Sequence, residues 1–289
     1  MINNNFIELY QKRCEKLLRK HLTSNSKLKE VMSYSVLGGG KRFRPILVYA
    51  TAKAFSSDIN IADNVAVAVE LIHAYSLIHD DLPCMDDDDI RHNKPSCHKK
   101  FNEALAVLAG DGLHSMAFEL LANDKNLSEK QKVKMFQSLA KFSFMMVEGQ
   151  MIDIELTGRK VNDISELNKM YYHKTAALLR LAVRLGALTN KNIGNSELKY
   201  LDKFAKNIGL AYQIQDDILD IIQDEKTLGK TKDSDFYNNK TTYPSIIGIV
   251  AAKKKYQLLY TKALSFLDKI NADTIELKKL IILLRERAY

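Results

Sequence analysis

Residues 80–89, which read DDLPCMDDDD, carry six carboxylates and are the part of the chain that most directly indicates chemistry. They follow an almost wholly apolar run, residues 65–78, that predicts a buried helix. Asp80 and Asp81 would lie in its last turn, where the helix dipole disfavours anions, and Pro83 would end it. Carboxylates gathered there need cations, and hard oxygen ligands favour Mg²⁺ or Ca²⁺ over zinc or copper. The alternative is a solvated acidic loop.

A second acidic cluster weakens that alternative. Residues 213–220 read QIQDDILD and again follow an apolar stretch. Asp216 and Asp220 are four residues apart, so on a helix they share a face with Gln213. Like charges at that spacing destabilise a bare helix, whereas metal ions bridged by a phosphate would stabilise it. Two such clusters predict facing walls of a cavity that holds several Mg²⁺ ions.

The turn GGGKRFRP, residues 38–45, could hold a phosphate. It gathers Lys41, Arg42 and Arg44 at the N-terminus of the next predicted helix, a natural anion site. Taken alone, it could equally be a plain joint between helices. His73 lies seven residues before Asp80 and so on nearly the same helix face, which suits either a binding residue or an ordinary core histidine.

Further cations occur in the second half of the chain. Lys174 and Thr175 place a charge and a hydroxyl at the start of another apolar helix. Lys230 and Lys240 lie in residues 223–243, a charged connection that is longer than compact packing requires and is typical of a lid over a site.

Composition excludes several classes of protein. The chain has 289 residues, 46% of them hydrophobic and 27% charged, which is ordinary for a globular protein. No stretch approaches 18 uninterrupted apolar residues, so no membrane span is expected. The net charge of +8 comes from scattered lysines without interleaved aromatic residues, so we expect an anionic substrate rather than nucleic acid. Three cysteines without paired spacing fit a cytoplasmic location. A zinc site from Cys84, His92, Cys97 and His98 would need spacings that structural sites do not use.

Helical periodicity dominates the chain and predicts a single all-α domain over residues 1–289, with about ten helices. No segment alternates as a strand, and we find neither a repeat nor a linker. The predicted helices cover residues 6–22, 28–37, 45–56, 61–81, 102–122, 129–155, 164–189, 195–222, 243–269 and 273–287.

Taken together, the acidic clusters and the GGGKRFRP turn make the chain resemble the trans-isoprenyl diphosphate synthases, and within that family the bacterial farnesyl diphosphate synthases. The resemblance covers residues 34–247. Four residues separate Asp81 from Asp86, as in the bacterial form of the first motif. The resemblance implies a helical bundle around a central active-site cavity, a homodimer, and about three Mg²⁺ ions per site.

The same resemblance assigns roles to individual residues. Mg²⁺ would be bound by Asp80, Asp86 and Asp216, and the clusters would be completed through water by Asp81, Asp217 and Asp220. The allylic diphosphate and the cation formed from it would be held by Arg91, Lys174, Thr175, Gln213, Lys230 and Lys240. Of these, the catalytic residues would be Lys174, Thr175 and Lys230. Isopentenyl diphosphate would be held by Lys41, Arg44, His73 and His92.

Two further positions refine this expectation. The family has two consecutive arginines where this chain has Arg91 and His92, so one contact to isopentenyl diphosphate would pass from arginine to histidine. Tyr75, five residues before Asp80, matches the position that governs product length, where a bulky aromatic accompanies short products. Without the resemblance, Tyr75 would be an ordinary core tyrosine.

The implied activity is the condensation of isopentenyl diphosphate with dimethylallyl and geranyl diphosphate, which gives farnesyl diphosphate and diphosphate. No side-chain nucleophile is required, and no Ser-His-Asp or Cys-His arrangement is found. The alternatives are a geranylgeranyl diphosphate synthase, a terpene cyclase, which would not need Lys41 and Arg44, and a non-catalytic partner subunit of a prenyl synthase.

Overall fold

The computed structural model describes residues 5–23, 25–37, 39–159, 161–222 and 241–286. In this part of the chain the protein is all-α, as expected, with one short 3₁₀-helix at Ile59–Ala62 and one short β-hairpin. The helices are α1 (Asn5–Leu22), α2 (Lys27–Val36), α3 (Phe43–Ala54), α4 (Asp63–Asp80), α5 (Cys97–Lys100), α6 (Glu103–Ala122), α7 (Glu129–Leu156), α8 (Ile164–Lys174), α9 (Ala176–Leu188), α10 (Asn195–Ile222), α11 (Tyr243–Ile247), α12 (Ile249–Leu267) and α13 (Ile275–Arg285).

The chain divides into two compact units, whose boundaries fall inside α7 and α9. Unit 1 comprises Met1–Leu139 and Leu185–Asn192, and unit 2 comprises Ala140–Arg184 and Ile193–Tyr289. In unit 1, α4 packs against α3 and α6. In unit 2, α10 packs along α12 and against α8. The single domain over residues 1–289 stays a prediction.

The apolar run that predicts a buried helix does form the core of unit 1. Residues 65–69, together with Leu71 and Ile72, are fully buried in α4. A fully buried apolar side chain contributes roughly 1.5–3 kcal/mol to the free energy of unfolding. The helix ends at Asp80, and Pro83 follows three residues later, as expected. The core therefore fixes where the first acidic cluster begins.

The structure differs from the helix prediction at two places. Residues 164–189 form two helices that separate at Thr175, and residues 243–269 form two helices that separate at Gly248, where φ is 80°. The hairpin pairs Ile90–Arg91 with Lys94–Pro95 in antiparallel register. Strands of two residues are too short to show alternation, and the apolar pattern continues across both helix breaks.

Among the residues that the structure describes, two segments are long and apolar enough to cross a membrane by length and composition alone. They are Ile59–Asp80, of which 72% of the apolar window is buried, and Glu103–Ala122, of which 39% is buried. The first segment is buried to the extent expected of a helix in the core of a globular protein. The second, α6, leaves Val107 and Leu108 exposed.

Candidate active site

The first acidic cluster lies in a closed turn after α4. The amide of Asp86 donates to the carbonyl of Asp80 at 2.9 Å, and the amide of Met85 donates to the carbonyl of Leu82 at 2.8 Å. The turn therefore folds Asp86 back to the end of the helix that carries Asp80. Both aspartates are partly exposed. Their carboxylate oxygens are the donors that Mg²⁺ prefers, so this end of unit 1 fits the ion expected from the sequence.

Asp81 differs from its neighbours because it is 2% exposed and held by Arg91. The Arg91 Nε donates to Asp81 Oδ1 at 2.9 Å, Nη2 also bonds Asp81, and Nη2 reaches Asp88 at 3.0 Å. Burial raises the pKa of Asp81, and Arg91 opposes part of that rise. The charge of Asp81 is thus neutralised by Arg91, whose guanidinium bonds two carboxylates, those of Asp81 and Asp88.

The basic turn and α4 bring Arg44 and His73 together. Arg44 Nη1 lies 2.9 Å from His73 Nε2. Burial, followed by the charges of Arg44 and His92, lowers the pKa of His73 well below its ordinary value, so the ring is neutral. We assign Nε2 as the acceptor, which leaves the proton on Nδ1. That Nδ1 is buried and has no hydrogen-bond partner among the described residues. A buried donor of this kind is costly unless a ligand satisfies it, and an anion would do so.

Arg42 does not join the anion site to which its sequence position pointed. Its side chain is 3% exposed and pairs with Glu15 and Glu70. Lys41, by contrast, is exposed. The expectation that all three basic residues of the turn face an anion is therefore wrong for Arg42, because two carboxylates of neighbouring helices bind it inside the protein.

His92 packs against the glycines of the same turn. Gly39 and Gly40 have φ values of 134° and 104°, and a side chain at Gly40 would lie 3.4 Å from Arg42 Nη1 and 3.5 Å from His92 Cε1. Burial lowers the pKa of His92, and the charges of Arg91 and Arg42 lower it further. His92 is thus a weaker cation than the arginine that the family carries here.

Tyr75 is 8% exposed and belongs to an aromatic cluster below the first acidic turn. Its ring makes edge contacts with His79 at 5.5 Å and with His114 at 5.2 Å between centroids. Burial raises the pKa of Tyr75 to about 12, so the phenol stays neutral. His114 on α6 was missed by the sequence reasoning, although a histidine in an apolar helix was a visible signal. The chain-length role of Tyr75 stays a prediction.

In unit 2, α7 and α10 approach the helix break at Thr175 closely. A side chain at Gly149 on α7 would lie 2.1 Å from the Lys174 amide nitrogen, and one at Gly209 on α10 would lie 2.3 Å from the Ala176 Cβ. Only glycine therefore allows α7 and α10 to approach the break this closely. Lys174 Nζ donates to Asp153 Oδ2 at 2.6 Å.

The second acidic cluster is joined to this break by hydrogen bonds. The Thr175 hydroxyl donates to Gln213 Oε1 at 2.9 Å, and Gln213 Nε2 donates to Asp217 Oδ1 at 3.3 Å. The other oxygen of Asp217 accepts from the Tyr171 hydroxyl at 2.6 Å and from the Tyr243 amide at 2.9 Å. Asp217 is 2% exposed, and both of its carboxylate oxygens accept hydrogen bonds from the protein.

The neighbours of Asp217 differ from one another. Asp216 is partly exposed, while Asp220 is 3% exposed. Asp216 is thus the member of this cluster with the best access to a metal ion, in line with the sequence prediction.

Sequence reasoning missed several polar residues of unit 2, which lie on α7, α8 and α11. Asp153 holds Lys174, and Tyr171 and Tyr243 hold Asp217. Gln150 is 8% exposed, and neither of its amide atoms has a hydrogen-bond partner in the described part of the chain. The polar residues of GQMID, at positions 149–153, were the available signal.

Lys230 and Lys240, with most of the expected lid, lie outside the described residues.

Within the described residues, one further group of possible metal ligands occurs at Asp87, Asp89 and His98, whose ligand atoms lie within 4.8 Å of one another. There, Lys99 pairs with Asp89 at 2.8 Å, so the chain itself supplies a cation to that group.

Comparison with known proteins supports the same interpretation of the chain. Residues 25–279 match the model of the family described as polyprenyl synthetase. A farnesyl diphosphate synthase of Escherichia coli (strain K12) is 46% identical over 256 residues, which cover 87% of this chain and 85% of that protein. The fold and the aspartate-rich helix ends are thus those of an all-α prenyl synthase, and the chain belongs to the polyprenyl synthetase family.

Two solved structures extend the likeness to the whole fold. A geranyltransferase of Helicobacter pylori, complexed with magnesium and isoprenyl diphosphate, is 31% identical with a TM-score of 0.84 and covers 98% of this chain and 97% of that chain. An FPP/GFPP synthase of Zymomonas mobilis is 33% identical with a TM-score of 0.86 and covers 97% of this chain and 98% of that chain.

Proposed function

We propose that the protein condenses isopentenyl diphosphate with dimethylallyl and geranyl diphosphate, so that farnesyl diphosphate and diphosphate are formed. The observation that carries this proposal is the Arg44–His73 pair, with the buried, unsatisfied His73 Nδ1. It forms an anion site that uses no acidic residue and no metal ion. A terpene cyclase, which ionises one diphosphate, has no use for it. A condensing enzyme must hold a second diphosphate that does not leave.

The allylic substrate would be bound by the aspartate-rich helix ends. Asp80, Asp86 and Asp216 would hold Mg²⁺, which, when bound, offsets the charge that develops on the departing diphosphate. The geranyltransferase of H. pylori, whose structure contains magnesium and isoprenyl diphosphate, supports this assignment. The number of ions, about three, follows from the resemblance.

The chain's own residues would then promote ionisation. Lys174 and Arg91 carry permanent charges that favour a departing anion, and Lys230 and Lys240 are expected to add to them. The Thr175 hydroxyl and the Gln213 amide, which are joined by a hydrogen bond of 2.9 Å, would direct oxygen dipoles toward the allylic cation. The double bond of isopentenyl diphosphate attacks this cation, a proton is lost to the departing diphosphate, and a new double bond forms. Water must be excluded, because it would capture the cation.

A homodimer is part of the same proposal. On α7, Phe144, Val147, Met151 and Ile154 follow one another at spacings of three and four residues and lie on one helix face. They are 64%, 49%, 54% and 46% exposed, respectively. A stripe of large apolar side chains in contact with water is unusual and marks an interaction surface. A second copy is the occupant that we propose. Phe144→Glu should then give a monomer by light scattering, whereas an unchanged mass would contradict this surface.

A cytoplasmic location is the remaining part of the proposal. Cys14, Cys84 and Cys97 are all free, and two of them are buried, which suits a reducing compartment.

The deciding experiment is the incubation of the purified protein with labelled isopentenyl diphosphate, dimethylallyl diphosphate and Mg²⁺, followed by measurement of product chain length. We expect a fifteen-carbon product whose formation stops in EDTA and returns with Mg²⁺. A twenty-carbon product would identify a geranylgeranyl diphosphate synthase. A protein that consumes neither substrate would instead be a non-catalytic partner subunit.

A further inference from the structure

Arg42 occupies an unusual place in the basic turn. Its backbone is left-handed, with φ 50° and ψ 34°, and it stands directly before α3. A non-glycine residue in this region of backbone space costs on the order of 1 kcal/mol or more, and it persists only when its surroundings hold it there. The neighbours on either side, Lys41 and Phe43, are more exposed than Arg42.

Three helices hold the guanidinium of Arg42. Nε donates to Glu15 Oε1 at 2.6 Å, Nη1 donates to Glu70 Oε1 at 2.7 Å, and Nη2 donates to the Val36 carbonyl at 2.5 Å. Glu15 lies on α1, Val36 ends α2 and Glu70 lies inside α4. Charge-assisted bonds in a dry interior are the strong class of hydrogen bond. The turn is therefore anchored to unit 1 by one side chain.

The Arg42 side chain is also bonded to the helix that carries His73 of the anion site. Glu70 and His73 are three residues apart on α4, so the residue that anchors Arg42 shares a helix face with the residue that bonds Arg44. A Cβ at Gly40 would meet both the Arg42 guanidinium and the His92 ring, so the backbone of the turn lies close to both side chains. A shift of Arg42 would therefore move the turn that carries Lys41 and Arg44.

We propose that Arg42 is a positioning residue for isopentenyl diphosphate: it does not touch the substrate, but it holds the turn that carries Lys41 and Arg44, so that Arg44 remains beside His73. This inference rests on the proposed function. It also separates the neighbouring basic residues of the turn into two classes, since Lys41 and Arg44 bind and Arg42 holds them in place.

The variant that tests it is Arg42→Lys, which keeps the charge but cannot bond Glu15, Glu70 and Val36 together. We expect the KM for isopentenyl diphosphate to rise at least about tenfold, with the KM for the allylic substrate changed less than about twofold. The matched control is Arg180→Lys, since Arg180 is another partly buried arginine and forms two bonds to Asp202 in unit 2. It should lower thermal stability without raising the KM for isopentenyl diphosphate.

A double-mutant cycle tests whether Arg42 acts through Arg44. In an Arg44→Ala background, Arg42→Lys should add less than about twofold to the KM for isopentenyl diphosphate, because the group that it positions is gone. If Arg42→Lys does not fold, Glu15→Gln weakens one of the three anchors and should give the same pattern with a smaller rise. Full additivity, an equal rise in both KM values, or an unchanged KM with a lower melting temperature would overturn the inference.

The failure of this inference is distinct from failure of the proposed function. If the wild-type protein forms no product from the two substrates, both the proposed function and the inference that rests on it are contradicted. If the wild-type protein is active and Arg42→Lys has an unchanged KM, only the inference fails.

Discussion

The two aspartate-rich segments each hold a buried aspartate directly beside an accessible one, but the buried aspartates Asp81 and Asp217 have different partners. In the first, Asp81 is paired with the permanent charge of Arg91. In the second, Asp217 accepts hydrogen bonds from the neutral Tyr171 hydroxyl, the Tyr243 amide and the Gln213 amide. Each buried aspartate is 2% exposed, so burial alone does not distinguish them.

The difference bears on what each segment can do when a diphosphate arrives. The side chain of Arg91 is 32% exposed, so the guanidinium can exchange a carboxylate for a phosphate oxygen without leaving water entirely. Tyr171 and the Tyr243 amide are buried and stay with Asp217. We therefore expect the first segment to be adaptable when a diphosphate binds, and the second to remain a fixed support for Asp216. We therefore expect the accessible aspartates, Asp80, Asp86 and Asp216, to bind the metal.

The largest expected effect comes from removing an accessible aspartate. Asp80→Ala or Asp216→Ala should lower turnover at least about a thousandfold, because the charge of the departing diphosphate is no longer offset. Helical content by circular dichroism should not change. Asp89→Ala is the matched control within the first segment and should keep turnover within about threefold of wild type. Near-normal activity of either Asp80→Ala or Asp216→Ala would remove the metal assignment.

The helices that lead into the two segments carry different residues five positions before Asp80 and Asp216. This difference predicts how a substitution changes the chain length of the product. Five residues before Asp80 stands Tyr75, whose Cα lies about 7.5 Å along the helix axis. Five residues before Asp216 stands Ala211, which is small and fully buried. We therefore expect the first helix, and not the second, to stop a growing chain. Tyr75→Ala should give products of twenty carbons or more, as measured by chromatography. Tyr75→Phe, which keeps the ring, should still give fifteen. A farnesyl product from Tyr75→Ala would contradict the role of the ring.

The partners of the buried aspartates predict unequal losses of stability. Asp217→Asn replaces one carboxylate oxygen by an NH2 group, so either Gln213 Nε2 loses its acceptor or the Tyr171 hydroxyl and the Tyr243 amide lose theirs. We expect the free energy of unfolding to fall by roughly 2 kcal/mol. In Asp81→Asn, Arg91 keeps Asp88 and contact with water, so the fall should be about 1 kcal/mol. Urea denaturation measures both free energies of unfolding. Equal losses would show that neutral and charged partners stabilise a buried aspartate to the same extent.

The smallest expected effect concerns His92, next to the adaptable Arg91. Burial and neighbouring cations hold the pKa of His92 below its ordinary value, so the free ring is charged only in acid. His92→Arg supplies a permanent charge and should lower the KM for isopentenyl diphosphate by about fivefold near pH 8.5. The gain should shrink as the pH falls below about 6.5, where the histidine gains its own proton, especially beside bound diphosphate. His92→Gln is a neutral control, and identical KM values for all three proteins at every pH would show that residue 92 does not contact the substrate.

Much of the fold was accessible from sequence because helical periodicity is a local property. The end of α4 at Asp80 could be predicted, since an apolar run, carboxylates and Pro83 follow one another. The break at Thr175 was not predicted, because the apolar pattern continues across it and the glycines that pack against it, Gly149 and Gly209, lie on other helices. The hairpin at residues 90–95 was also beyond reach, since its strands have two residues each.

What the sequence by itself determined is the chemistry: two sets of carboxylates at helix ends, a basic turn, and the aromatic Tyr75 before the first cluster. These are matters of residue type and spacing. Tertiary structure alone decided which of several chemically equal groups are accessible. Arg42 and Arg44 are two residues apart, yet Arg42 is enclosed by Glu15 and Glu70, while Arg44 meets His73. The reason is physical: a charge that is buried needs a partner from another helix, and the sequence does not state which helices will be neighbours.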